Sequence, residues 1–209
     1  MKIKRFLWVD FEKNVLYSYL GSNRVRKELS MINVALDAMG GDNAPVEIIK
    51  GAIEAVNERK DITIWLCGRM DDMQQELAKY KYDTAQIKLI DAPDVIETGE
   101  APVMAVRRKK ESSIVKGLHL VKDGTCDAFV SAGSSGAILV GGQFIVGRIK
   151  GVERPPLAPL LPTEKGVSLL IDCGANVDAR PSHLVQFAKM GSVYMEHVVG
   201  ISNPKRADR

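Results

Sequence analysis

Residues 31–59 read MINVALDAMGGDNAPVEIIKGAIEAVNER, and this stretch decides the fold. Residues 32–36 form a short apolar strand pattern. Gly40 and Gly41 break it. Pro45 then opens a helix pattern over 45–59, with Ile48, Ile49, Ala52, Ile53 and Val56 at helical spacing. A strand, a glycine turn and a helix in that order form the first unit of an α/β protein.

The pattern repeats downstream. Further strands are predicted at 62–66, 87–90, 128–131 and 167–172. Most are continuously apolar, as expected of parallel strands covered on both faces. Helices are predicted at 71–80, 102–109, 113–122, 135–149 and 182–199. The one at 135–149 is apolar nearly all round and reads as buried. The expectation is a doubly wound, mostly parallel α/β/α sandwich, with ligands binding beyond the carboxyl ends of the strands.

The turns after the strands carry the candidate chemistry. After the first comes Gly40-Gly41-Asp42-Asn43. This turn suits close approach to an anion at a helix N-terminus, and it equally suits Asp42 or Asn43 as a helix cap. After the fourth comes Ser131-Ala-Gly133-Ser134-Ser135-Gly136. Small residues, free N–H groups and hydroxyls there suit phosphate, or simply a capped tight turn. The spacing matches neither a P-loop nor a nucleophile elbow. After the fifth, Asp172, Asn176 and Asp178 surround a glycine turn and read as substrate-orienting or as turn residues.

Arg107-Arg108-Lys109-Lys110 is the dense basic cluster of the α/β region. It reads as a solvated helical turn or as a docking point for an acidic partner. One short cluster without interleaved aromatics does not point to nucleic acid. His119, His183 and His197 are scattered and lack metal-ligand spacing, and His183 reads as a first-turn polar residue. Cys67, Cys126 and Cys173 lie in or beside apolar runs and read as buried, reduced thiols.

Composition sets the outer bounds. The 209 residues suit one or two domains, and 45% apolar with 26% charged residues excludes disorder and collagen-like repeats. No apolar run is long enough for a transmembrane helix. The net charge of +3 is unevenly placed: residues 1–30 carry +4, residues 205–209 carry +2, and the body between them carries −3. Whole-chain basicity is therefore no guide to an anionic partner. Residues 1–30 hold five of the twelve aromatics and read as two strand-like pieces, 6–11 and 15–20.

Four motifs agree on one family. DAMGGDNAP at 37–45, SAGSSGA at 131–137, GRIKGVERPPLAPLLP at 147–162 and LLIDCGANVDARPSHLVQFAKMGSVY at 169–194 resemble the bacterial phosphate acyltransferases of phospholipid synthesis. The resemblance is near continuous from Met31 to Pro204. It departs at Asn43, where the family usually has His, and at Ser134-Ser135, where it usually has Asn-Thr. It implies a Rossmann-like fold related to phosphotransacetylases and isopropylmalate-type dehydrogenases.

The implied activity is acyl transfer from acyl carrier protein to inorganic phosphate, with no cofactor and no metal. The implied setting is a cytoplasmic homodimer, peripheral to the membrane. Gly40, Gly41, Asp42, Ser131, Gly133, Ser134, Ser135, Gly136 and Asn176 are the expected phosphate and substrate residues. Arg107, Arg108, Lys109 and Lys110 are the expected docking residues for the carrier. The competing readings are a phosphotransacetylase-like enzyme using acyl coenzyme A, and an inactive fragment. The family pattern continues beyond Pro204, so a sheet incomplete on its C-terminal side is expected, with 205–209 as an aberrant tail. Residues 1–30 match nothing in the family. They are expected to be a leader upstream of Met31, because Lys27-Glu28 is encodable as the ribosome-binding sequence AAGGAG.

Overall fold

In this computed structural model the described residues are 31–205, together with the backbone of a pair of two-residue strands, β1 (Val9–Asp10) and β2 (Val15–Leu16). The pair falls within the two strand-like pieces read from the sequence, whose other residues lie outside the described ones. From Met31 onward the chain divides at Gly147–Arg148 into two compact units.

The first unit alternates strand and helix. Its elements are β3 (Ile32–Asp37), α1 (Val46–Glu58), β4 (Ile62–Gly68), α2 (Met70–Leu77), β5 (Ile87–Asp91), α3 (Pro102–Arg108), α4 (Ser113–Asp123), β6 (Ala128–Val130) and α5 (Ser135–Gly141). The four strands form one sheet in the order β5-β4-β3-β6. Every pairing is parallel, in registers such as Leu36↔Leu66, Leu66↔Leu89 and Leu36↔Val130. The first three strands thus step in one direction and the fourth returns to the other side of the first. The point of reversal lies between β3 and β6.

Helices cover both faces, which gives the α/β/α layering read from the sequence. On one face Ile49, Ile53 and Val56 of α1 and Met73 and Leu77 of α2 pack on Ile62, Ile64 and Leu66 of β4. The burial of Ile49, Ile53 and Val56 follows from their i, i+4, i+7 spacing, which sets them on one stripe. Each such buried side chain contributes about 2 kcal/mol relative to exposure. A second cluster joins Ala105 and Val106 of α3, Ile114, Val115 and Leu118 of α4, and Ala137 of α5. Helix α4 starts where the Ser112 side chain accepts from Val115 N, and it ends at Gly124, whose φ of 85° suits glycine. It approaches β6 closely, because Gly117 leaves room for the Phe129 ring.

The helix expected over 135–149 is shorter and less covered than its sequence implies. It is α-helical only to Gly141, continues as a π turn over Gly142–Val146, and stops at Gly147, where φ is 96°. Ala137, Gly141 and Gly142 are buried, whereas Phe144 and Ile149 are 71% and 73% exposed. An all-apolar pattern cannot say which side is covered.

The second unit corrects the fifth strand. Residues 167–172 do not extend the parallel sheet. Instead β7 (Leu160–Thr163) and β8 (Gly166–Leu169) form an antiparallel hairpin, in the register Leu160↔Leu169 to Thr163↔Gly166. The strand ends at Leu169, before Asp172. Helix α6 (Pro181–Tyr194) follows and runs into a π turn, Met195–Val199. Phe187 and Met195 are its buried apolar anchors, and Gly191 fits against Leu169 and Ile171. No helix among the described residues is long and apolar enough to cross a membrane.

Candidate functional site

The crevice at the reversal point is built by two turns, one after β3 and one after β6. Asp37, the last residue of β3, is 1% exposed. Its Oδ1 accepts from Met39 N at 3.0 Å, and its Oδ2 accepts from the Ser131 hydroxyl at 2.7 Å. Ser131 Oγ in turn accepts from Gly133 N at 3.0 Å. The chain Gly133 N–H, Ser131 O–H, Asp37 carboxylate therefore fixes one turn to the other. A buried carboxylate requires such partners.

Glycines let the two backbones meet. A Cβ on Gly40 would lie 2.4 Å from Asp37 Oδ2 and 2.7 Å from Gly133 N. A Cβ on Gly133 would lie 3.2 Å from Gly40 Cα. Gly41 has a φ of 98°, which disfavours a side chain. The glycines singled out in the sequence are therefore demanded by contact between the turns.

Neither Asp42 nor Asn43 caps α1. The helix is preceded by Pro45 and has no side-chain cap; the Asn43 carbonyl, not its side chain, accepts from Glu47 N. Asp42 and Asn43 are exposed, and Asn43 lines a second, open cleft together with Val46 and Glu47. On the other turn Ser134 is buried and caps α5, accepting from Ala137 N. Ser135 is exposed at the start of α5. Gly136 lies against Pro102, where a Cβ would come within 2.6 Å of Cγ. Gly40, Gly41, Asp42, Ser131, Gly133, Ser134, Ser135 and Gly136 thus all belong to the two turns at this crevice.

Asn176 belongs to the second unit, where its side chain serves the loop itself. Its amide nitrogen donates to the Pro155 carbonyl at 3.1 Å, and Asp172 accepts from both Asn176 N and Leu157 N. Asp178 pairs with Arg154 through two hydrogen bonds, and that guanidinium holds its carboxyl below the usual carboxylate range. His183 does sit in the first turn of α6, but it is 4% exposed. Its Nδ1 accepts from Arg180 N, and its Nε2 lies 3.0 Å from Glu153 Oε2.

The basic run does not make one helical turn. Helix α3 ends at Arg108. Lys109 Nζ donates to the Val95 carbonyl and pairs with Glu100, whose carboxyl it holds below the usual range. Arg107, Arg108 and Lys110 are exposed. Cys67 and Cys126 are buried, and loss of hydration pushes both thiols up to about 12, so neither is a nucleophile near neutral pH. Cys173, contrary to expectation, is exposed.

Asp37 is the site residue that sequence reading missed. Its signal was its place as the last residue of an apolar strand beside a double glycine. Nothing in the sequence says that β6, which delivers Ser131, lies next to β3.

A parallel sheet whose strand order reverses between β3 and β6 defines a Rossmann-like α/β protein, and two solved structures that share this fold are phosphotransacetylases. One from Streptococcus pyogenes aligns with a TM-score of 0.61 at 17% identity, covering 85% of this chain and 60% of its own. One from Staphylococcus aureus aligns with a TM-score of 0.59 at 21% identity, covering 86% and 61%. The chain belongs to the fatty acid synthesis protein family, whose model matches residues 32–208. Within it, a putative phosphate acyltransferase of Clostridium perfringens strain 13 is 53% identical over 83% of this chain. A phosphate acyltransferase of Clostridium beijerinckii is likewise 53% identical over 83% of the chain. The chain spans about half the length of these curated relatives, 51% and 52% respectively.

Proposed function

We propose that this chain takes part in acyl transfer from acyl carrier protein to inorganic phosphate, giving acyl phosphate for glycerophospholipid synthesis. The observation that carries this reading is the crevice between β3 and β6. There the Gly40 and Gly133 backbones meet beside the Asp37–Ser131 hydrogen bond, which sets two turns of small residues side by side at the carboxyl edge of the sheet.

The chemistry asks little of a catalyst beyond position. A phosphate oxygen attacks the thioester carbonyl, the new C–O bond forms and the C–S bond breaks. The carrier's thiolate leaves and takes up a proton from solvent. A thiol of pKa about 8.5 is a good leaving group, so no strong acid is needed. Phosphate must be held against the carbonyl, and the tetrahedral oxyanion must meet N–H or O–H donors. Backbone N–H groups of the turn after β6 and the exposed Ser135 hydroxyl are the proposed donors, while buried Ser134 holds the turn as the cap of α5. Gly40, Gly41 and Asp42 form the opposing wall. Ser131, with its hydroxyl committed to Asp37, is a positioning residue rather than a ligand. Asn176, occupied within the second unit, stands apart from this assignment.

Arg107, Arg108 and Lys110 are the proposed steering charges for an acidic carrier protein. The same reading makes the protein a cytoplasmic homodimer that associates peripherally with the membrane.

The test is loss of acyl thioester from acyl carrier protein by the purified 209-residue chain, with and without phosphate. Phosphate-dependent release of the carrier thiol is expected. Turnover of acyl coenzyme A alone would select the phosphotransacetylase-like reading. Turnover of neither would mark the chain as inert on its own and overturn the proposal.

A further inference from the structure

The segment between β5 and α3 leaves one edge of the sheet and ends on the helix that follows the other edge. β5 and β6 are the outer strands, three strand spacings or about 14 Å apart. Ala92 N donates to the Gly68 carbonyl and Arg69 Nε to the Pro93 carbonyl, which fasten the segment to the tip of β4. Asp94 then pairs with Ser112, the cap of α4, in an isolated parallel bridge. Ile96 is 5% exposed and packs in one cluster with Ala137 of α5. Pro102, the first residue of α3, abuts Gly136, where a Cβ would lie 2.6 Å from Pro102 Cγ. Residues 92–102 are thus a strap. Its two seats on α5, Gly136 and Ala137, directly follow Ser134 and Ser135.

Lys109 closes the strap. It follows the last residue of α3, at the end of the helix opposite Pro102. Its Nζ donates to the Val95 carbonyl at 2.6 Å and to Glu100 Oε1 at 2.5 Å. The same Oε1 accepts from Glu97 N at 2.7 Å, and Glu100 N donates to the Glu97 carbonyl. One ammonium therefore ties the strap before and after its exposed crest at 97–99. The Lys109 and Glu100 side chains are only 33% and 31% exposed, so solvent screens this pair less than a surface one. Without Nζ the crest keeps its own turn bonds but loses its tie to α3.

We propose that Lys109 is a positioning residue for the turn after β6, acting through the strap and its contact at Pro102–Gly136. Its role in turnover rests on the phosphate site of the proposed reaction. The link from Lys109 to the turn stands on the geometry alone. A shift of about 1 Å in a group that holds a reactant can cost up to about 100-fold in rate, so a fastening remote from the chemistry carries weight.

Two variants test this. Lys109→Met keeps most of the stem and removes the ammonium. Glu100→Gln keeps the acceptor for Glu97 N and removes the charge. Amide exchange is followed by NMR at Gly133 and Ala137, which donate to Ser131 Oγ and Ser134 Oγ. In both variants these amides should exchange about tenfold faster than in the parent, measured against amides of α1. KM for inorganic phosphate should rise roughly threefold to tenfold, with KM for acyl carrier protein unchanged. The double variant should be no worse than Lys109→Met, because the two changes break one pair. A lower melting temperature with unaltered exchange and unaltered phosphate KM would reduce Lys109 to a structural residue and overturn the proposal, as would additive losses in the double variant. The exchange measurement needs no turnover. Faster exchange in proteins that turn nothing over keeps the link between strap and turn and removes the reaction. Turnover with an unaltered phosphate KM keeps the reaction and removes the role assigned to Lys109.

Discussion

Ser131 donates its hydroxyl hydrogen to Oδ2 of Asp37 across 2.7 Å, and this one bond ties the tip of β6 to the tip of β3 where the strand order reverses. The carboxylate is buried, and Met39 N is its other protein donor. Removing the hydroxyl would leave a buried charged oxygen short of a partner. Ser131→Ala should therefore destabilise the protein by about 1–3 kcal/mol. In urea melts, Ser131→Ala and Asp37→Asn should couple by at least about 0.5 kcal/mol in a double-mutant cycle. Additive losses would show that the bond does not hold the turns together.

Two glycine substitutions should act in opposite directions. Gly51 lies within α1 with nothing within 4 Å of its would-be Cβ. Gly51→Ala should stabilise the protein by about 0.5–1 kcal/mol, because alanine loses less backbone entropy in a helix. Gly40→Ala meets Asp37 Oδ2 and the Gly133 backbone, neither of which is the end of a flexible side chain. It should lower the melting temperature and abolish turnover. A Gly40→Ala protein as stable as the parent would contradict the backbone contact.

The thiols supply a pH prediction. Cys67 and Cys126 are buried, with thiols pushed up to about 12 from an ordinary value of 9.0. The folded protein keeps these protons where the unfolded chain has lost them. Their contribution to stability is thus complete below about pH 9 and is lost as pH rises towards 12. A thiol reagent at pH 8 should modify Cys173 quickly and the other two only under denaturant. Fast modification of more than one thiol in the folded protein would refute this assignment of burial.

What the sequence displays and what it hides follow from period and proximity. β4 is a nearly continuous buried run because helices cover both its faces, and such a run is readable, whereas β5 at the sheet edge exposes Lys88 and Asp91. β8 alternates exposed and half-buried residues, as a surface hairpin does, and β7 carries Pro162. As one apolar run, 167–172 has the pattern of a further parallel strand, and only the hairpin pairing shows otherwise. The glycine turns were legible as local chemistry. Asp37 was not, because its role depends on Ser131, 94 residues away, arriving on the adjacent strand. Likewise, Asp42 and Asn43 have cap-forming side chains, but the helix starts after Pro45 and uses neither.

The basic run at 107–110 yields the last prediction, since its members have different duties. Lys109 bridges the Val95 carbonyl and Glu100, and so fastens the end of α3 to the segment after β5. Arg107 and Lys110 are exposed to solvent. If the run steers an acidic carrier, charge removal at Arg107 and Lys110 should raise KM for acyl carrier protein and flatten its dependence on salt, with the melting temperature unchanged. Lys109→Ala should do the reverse. It leaves Glu100 without its cation and should lower the melting temperature by a few degrees, consistent with a loss of about 1 kcal/mol, while altering KM little. The three single variants at Arg107, Lys109 and Lys110, compared by melting and by KM at two salt concentrations, separate the roles. Equal effects on KM at Lys109 and Lys110 would show that the run acts as one undivided patch.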